Sequence, residues 1–138
     1  MALGTAQIRP IDLMQAYSVF ANLGIKKDLF AIAKIEDSDG NTLEEHKDET
    51  KEVIFSPAAS YIINMILSNA DARPEGFWRN ALAISGGRRV AAKTGTSNKD
   101  LIERGNKKIL PRDLWTIGYT PQITTVVWAG NVDGKETK

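Results

Sequence analysis

Apolar positions recur along this chain with two different periods, which divide it into helices and strands. From Pro10 to Leu23 they follow a helical period: Leu13, Met14, Tyr17, Phe20 and Ala21 share one face. Pro10 suits a first turn, where a missing N–H costs nothing. Gly24 stands where a left-handed C-cap is wanted. Arg9 is a poor N-cap beside a Ser or Thr. A second helix is predicted over Pro57–Asn69, capped by Ser56, with Tyr61, Ile62, Met65 and Ile66 as its apolar stripe and Ile63 and Leu67 widening it. So wide a stripe predicts burial on more than one side. Elsewhere the period is two. Leu29–Glu36 alternates as a strand, Asp37-Ser38-Asp39-Gly40 is turn chemistry, and Asn41–Glu44 can return beside it as a small hairpin. Val90 opens a strand whose body is Ala91–Thr96. Asp113–Tyr119 alternates with Trp115, Ile117 and Tyr119 on one side and Leu114, Thr116 and Gly118 on the other. Ile123–Ala129 is a third strand, and the tight turn Thr120-Pro121-Gln122 makes the last two antiparallel neighbours.

The intervening segments read as connections. Met1–Gly4 is too short for an element of its own. Glu44–Glu52 is dense in charge and reads as a solvated loop; its His46 is given no role. Asp71–Gly76 is broken by Pro74, Phe77–Ile84 can form a short helical stretch, and Ser85–Arg89 is a turn. Asn98–Pro111, with Lys99, Arg104, Lys107 and Lys108, reads as a long polar loop. The expected fold class is α+β: an antiparallel sheet with helices packed against it and a hairpin set apart. Trp115 and Trp128 are expected in the core.

Composition narrows the function. At 138 residues, 42% hydrophobic and 25% charged, the chain suits one globular domain or a large piece of one. A net charge of +1 without a basic stripe argues against nucleic acid. The absence of cysteine excludes disulfides and thiolate zinc sites. No apolar run approaches the roughly 18 residues of a membrane span, and no signal peptide follows Met1. Work outside the membrane would need a targeting segment beyond this sequence.

The chemistry concentrates in Val90-Ala91-Ala92-Lys93-Thr94-Gly95-Thr96-Ser97, a short strand ending in a cation, hydroxyls and a glycine. Strand alternation puts Thr94 and Thr96 on one face, Lys93 and Gly95 on the other. Beside a groove, such an edge strand could take an extended peptide by main-chain hydrogen bonds. The Thr hydroxyls and the Lys93 ammonium could hold its carboxylate, and the Thr96 N–H could serve as an oxyanion donor, a group typically worth roughly 3 kcal/mol in the transition state. As a bare tetrapeptide, Lys-Thr-Gly-Thr more simply ends a strand in a turn, with Gly allowing positive φ and Thr bonding locally. A phosphate loop from Gly87 to Lys93-Thr94 is a third possibility, with Ala92 in place of its second glycine.

Taken together, "ALGTAQIRPIDLMQAYSVFANLG", "SPAASYIINMIL", "VAAKTGTS" and "RDLWTIGYTPQITTVVWAGN" resemble, in order, the C-terminal part of the transpeptidase domain of class A penicillin-binding proteins. The resemblance implies part of the fold shared by serine β-lactamases and these transpeptidases, and D,D-transpeptidase chemistry on peptidoglycan outside the cytoplasmic membrane. The implied partners are a stem peptide ending in D-Ala-D-Ala and β-lactams. No cofactor, metal or nucleic acid is implied, and membrane attachment would come only through segments preceding this one. Of the motifs S-x-x-K, S-x-N and K-T-G, only the third is present. Ser18, Ser38, Ser56, Ser60, Ser68, Ser85 and Ser97 begin neither of the others. By resemblance, Lys93 aids proton transfer and carboxylate recognition, Thr94, Gly95 and Thr96 line the substrate, and the Thr96 N–H completes the oxyanion hole. Residues 1–138 are then expected to be the C-terminal portion of a transpeptidase domain without the segment bearing the nucleophilic serine, inactive alone. A catalytically dead peptide-binding module and a nucleotide-binding domain are the alternatives.

Overall fold

The computed structural model describes residues 6–47, 52–103 and 106–137; the side chains at 77, 78 and 99–108 lie outside that description, as does Met1–Gly4. In chain order the elements are α1 (Pro10–Ala21), β1 (Ile25–Lys26), β2 (Lys34–Glu36), β3 (Thr42–Glu45), β4 (Glu52–Val53), α2 (Pro57–Ser68), α3 (Phe77–Asn80), β5 (Ala91–Glu103), β6 (Asn106–Tyr119) and β7 (Thr124–Gly130). A three-stranded antiparallel sheet in the order β5-β6-β7 carries α1 and α2. The α+β architecture is as expected.

α1 starts without a side-chain cap, as Arg9 foretold. The guanidinium instead grips Asp12 in the first turn, Nε to Oδ2 at 2.7 Å and a second nitrogen to Oδ1 at 2.8 Å. The helix ends at Ala21 in a Schellman motif: the Gly24 N–H donates to Val19 O at 2.8 Å and the Leu23 N–H to Phe20 O at 3.2 Å. The left-handed C′ residue is therefore Leu23 (φ 52°), and Gly24 (φ 95°) follows it. Gly24 is glycine for a further reason. A Cβ there would lie 2.0 Å from the Phe55 carbonyl oxygen, because the chain leading into α2 crosses it.

Several local expectations are corrected. Residues Leu29–Ala33 join no strand. β2 begins at Lys34 opposite Glu45, where β3 ends; one further backbone bond, His46 N–H to Ala33 O at 2.9 Å, closes the pair, and Leu29, Phe30 and Ile32 stay exposed. The Asp37 turn is as read, its Oδ1 accepting from the Asp39 and Asn41 N–H groups. The charged stretch is not all loop: Glu45 belongs to β3, Glu52 pairs with Lys26 across β4 and β1, and 48–51 lie outside the described residues. His46 stacks on Phe30, ring centroids 3.9 Å apart. The short helix α3 stops at Asn80, before Ile84.

The largest correction is the segment 98–111. It is a continuation of the sheet: β5 and β6 pair from Ala91↔Tyr119 to Glu103↔Asn106, leaving only positions 104 and 105 between them. The polar residues concealed a two-stranded ribbon because their pairing depends on a partner strand. The described residues do not include Arg104, nor the side chains of Lys99, Lys107 and Lys108.

The second correction concerns α2. Its Ser56 cap is present, Oγ accepting from the Ala59 N–H at 3.2 Å, but the apolar stripe points outward: Tyr61, Ile62, Met65 and Ile66 are 59%, 58%, 42% and 60% exposed. The inward face is Ser60, Ile63, Asn64 and Leu67, at i, i+3, i+4 and i+7. Ser60 is fully buried against Gly24. Asn64 ties three elements, donating to Phe20 O of α1 at 2.9 Å and accepting from the Tyr119 hydroxyl of β6 at 2.7 Å. Small and polar residues let the helix approach closely. The core itself is compact: Val19, Ala91, Ala92, Ile117 and Tyr119 are buried, and Tyr17 meets Tyr119 edge-on at 6.1 Å.

Candidate functional site

β5 leaves the helical cover as it leaves the alanines. Ala91 and Ala92 are buried, whereas Lys93 and Thr96 are exposed and Thr94 and Gly95 half-buried. β5 pairs only with β6, so its other edge is free among the described residues. An edge strand leaves alternate backbone N–H and C=O groups available. The sequence-predicted residues Lys93, Thr94, Gly95 and Thr96 therefore lie in one row on an open edge. The strand runs on unbroken past Thr94, with no helix starting there, which removes the phosphate-loop alternative.

The row is not uniform. Lys93 folds back, its Nζ donating to the Thr94 carbonyl. Gly95 has ordinary strand geometry, and a Cβ built on it would meet only Trp115 Cβ, at an unstrained 3.6 Å. The fold does not require glycine here, although glycine weakens a strand. Beyond Thr96 the sheet opens into a cleft of about 760 Å³, bordered by Thr96, Ser97, Arg112, Asp113, Trp115 and Trp128 and by the segment ahead of α1. Trp115 and Trp128, whose rings sit 6.4 Å apart, are thus cleft walls rather than core.

Sequence reasoning missed a polar cluster at this point. The Asp113 carboxylate accepts from Ser97 Oγ at 2.5 Å, Arg112 Nε at 2.9 Å and Trp128 Nε1 at 3.2 Å. The Ser97 hydroxyl, then the Arg112 guanidinium, hold this carboxyl below its usual range; burial opposes them and the Trp128 indole assists. The signal available was alternation, which sets Asp113 on the same face as Trp115, Ile117 and Tyr119. A carboxylate in that row needs donors.

Comparison with known proteins identifies the fold around this edge. Residues 1–138 match the family described as the penicillin binding protein transpeptidase domain. The chain belongs to that family. It is 37% identical over 130 residues to penicillin-binding protein 1A of Aquifex aeolicus and 31% identical over 136 residues to penicillin-binding protein 1A of Mycolicibacterium smegmatis. These alignments cover 94% and 97% of the chain but 16% of each relative. The penicillin-binding protein PonA1 of Mycobacterium tuberculosis superposes with a TM-score of 0.71 at 30% identity, over 97% of this chain and 32% of that one. PonA1 has also been solved in complex with penicillin V. The fold is thus that of a penicillin-binding transpeptidase, and the chain spans about a sixth of the length of these curated relatives.

Proposed function

We propose that residues 1–138 are the C-terminal portion of a peptidoglycan D,D-transpeptidase domain and supply its substrate-binding and oxyanion-stabilising half. The observation that carries the reading is the Lys93–Thr96 row on the free edge of β5, in a chain of this family. A stem peptide ending in D-Ala-D-Ala lies along that edge as an added strand. Thr94 and Thr96 hold its carboxylate with their hydroxyls. Lys93 turns from the Thr94 carbonyl to the carboxylate and to proton transfer, and the Thr96 N–H donates to the oxyanion. Gly95, which packing does not demand, leaves room for the peptide backbone. β-Lactams, the ligand class of which penicillin V binds PonA1, occupy the same edge.

The nucleophilic serine comes from a part of the domain outside these residues, since no serine here begins S-x-x-K. The exposed apolar face of α2 agrees with a larger domain, because patches of this kind are normally buried. The parent works on the outer side of the cytoplasmic membrane. Among the described residues no helix is long and apolar enough to cross a membrane.

A fluorescent penicillin followed by a denaturing gel tests this. The 138-residue chain should show no covalent band. A longer polypeptide containing the complete domain should show one, and Lys93→Ala should slow its acylation on the order of 100-fold. A band on the short chain, or unchanged acylation after Lys93→Ala, would overturn the reading.

A further inference from the structure

β5 and β6 change register beside the candidate site. Ser97 faces Asp113 but Asn98 faces Pro111, so Arg112 is the extra residue of a β-bulge that begins one position after Thr96. Register matters here more than elsewhere. The stretch Ala91–Ser97 consists, apart from Lys93, of Ala, Thr, Gly and Ser, and small side chains on both faces specify pairing weakly. A slip by one residue would exchange the Thr94/Thr96 face with the Lys93/Gly95 face.

What opposes a slip is the Asp113 carboxylate. It takes one donor from each of the three strands: Ser97 Oγ of β5, Arg112 Nε of β6 and Trp128 Nε1 of β7. The Asp113 N–H returns a bond to Ser97 Oγ at 3.2 Å, so Ser97 is held from both its partner's backbone and side chain. The Trp128 ring is fixed in turn. It packs over Gly130, the residue opposite Asp113, where a Cβ would lie 2.6 Å from its Cζ2 and 3.0 Å from the Arg112 carbonyl oxygen. The bulge is also braced from behind, where Thr137 donates its N–H and hydroxyl to Pro111 O at 2.9 and 3.0 Å.

We propose that Asp113 is a positioning residue: by clamping Ser97 and Trp128 it fixes the register of β5 and with it the direction in which Thr96 faces the free edge. The proposal rests on the reading that Thr96 serves the substrate. It goes beyond that reading by assigning the accuracy of the row to a carboxylate on the neighbouring strand, which acts through Ser97 and Trp128.

The test uses the ¹⁵N-labelled 138-residue chain in four forms: wild type, Asp113→Ala, Asp113→Asn and Ser97→Ala. In Asp113→Ala, amide hydrogen exchange at Thr94–Ser97 should accelerate about tenfold, the effect of losing one or two partly buried hydrogen bonds, while Val19, Ile117 and Tyr119 exchange as before. The Trp128 indole N–H resonance should move in both Asp113 variants. Asp113→Asn keeps an acceptor and should recover part of the protection. Ser97→Ala removes one partner only, and should loosen the same residues even if Asp113→Ala proves too unstable to measure. Exchange that rises equally throughout the sheet, or stays unchanged at Thr94–Ser97 in both Asp113→Ala and Ser97→Ala, would overturn the proposal. Titration with an N-acetylated tripeptide ending in D-Ala-D-Ala separates the two readings. Wild type that fails to bind it contradicts the assigned function, whereas the exchange data judge the clamp on their own. A bound wild type with about tenfold weaker binding in Asp113→Ala supports both.

Discussion

The two ends of the β5-β6-β7 sheet are held by opposite means. At the Ala91–Tyr119 end, α1 and α2 lie over the strands around Val19, Ile117 and the Tyr17–Tyr119 edge contact, with Asn64 accepting from the Tyr119 hydroxyl. At the Ser97–Asp113 end the start of α1 and the segment before it border an open cleft, and a carboxylate with donors from three strands does the holding. The first arrangement resists unfolding. The second leaves an edge and a cleft open to a ligand and fixes their geometry without covering them. Polar contacts contribute less net stability than burial of the same groups' apolar neighbours, but they are directional. The difference therefore separates stability from precision within one sheet.

Substitutions at the covered end should cost most. Tyr119→Ala should lose about 3–5 kcal/mol by urea unfolding, from the cavity it leaves and from the stranded Asn64 side chain. Tyr119→Phe, which keeps the ring, should lose about 1 kcal/mol. A loss for Tyr119→Ala no larger than that would erase the distinction between the ends.

Two glycines sharpen it next. Gly24→Ala drives a methyl to within 2.0 Å of Phe55 O at a φ of 95° and should cost about 2 kcal/mol or more. Gly95→Ala meets nothing closer than 3.6 Å, so unfolding should shift by less than about 0.5 kcal/mol, while peptide binding at the edge weakens. Equal effects of the two on stability would mean that Gly95 serves the fold.

The ends should also answer to opposite pH extremes. Burial, then the neighbouring Tyr17, pushes the Tyr119 hydroxyl up from 10.0 to about 12. Its neutral form is favoured in the folded state, so its contribution is intact below pH 10 and is lost as pH rises toward 12, by an amount on the order of 2 kcal/mol. Asp113 is held below its ordinary 3.8. Its contribution is intact above that value and is lost as pH falls through the lowered one. Unfolding followed across pH should show the alkaline loss shrink in Tyr119→Phe, leaving the share of the Tyr17 hydroxyl that burial also raises, and part of the acid loss vanish in Asp113→Asn. The smallest effect is expected on the outer face of α2. Ile62→Lys with Ile66→Lys should change stability by less than about 0.5 kcal/mol, since both side chains are more than half exposed, and should reduce self-association in sedimentation.

The covered end was legible in the sequence. Alternation over Asp113–Tyr119 put Ile117 and Tyr119, the two buried residues of β6, on one face, and the Pro10 helix and the antiparallel partner of β6 follow from period and turn chemistry. The Lys93–Thr96 row, its edge position and the family resemblance were legible too. What was not legible depends on long-range pairing. The ribbon beyond Ser97 has no apolar period of its own, and two of the three Asp113 donors, Trp128 and Ser97, lie 15 and 16 residues away in sequence. α2 misled for a physical reason: its largest apolar stripe faces away from the sheet, and its packing face is the inconspicuous row of Ser60, Ile63, Asn64 and Leu67.

The central claim is that the Lys93–Thr96 edge receives the end of a peptide. A ¹⁵N–¹H titration of the chain with the acetylated D-Ala-D-Ala tripeptide tests it most directly. The expected result is saturable shifts concentrated at Thr94, Gly95 and Thr96 and weakened by Thr96→Ala. Absent shifts, shifts gathered elsewhere on the chain, or equal binding by Thr96→Ala would contradict it.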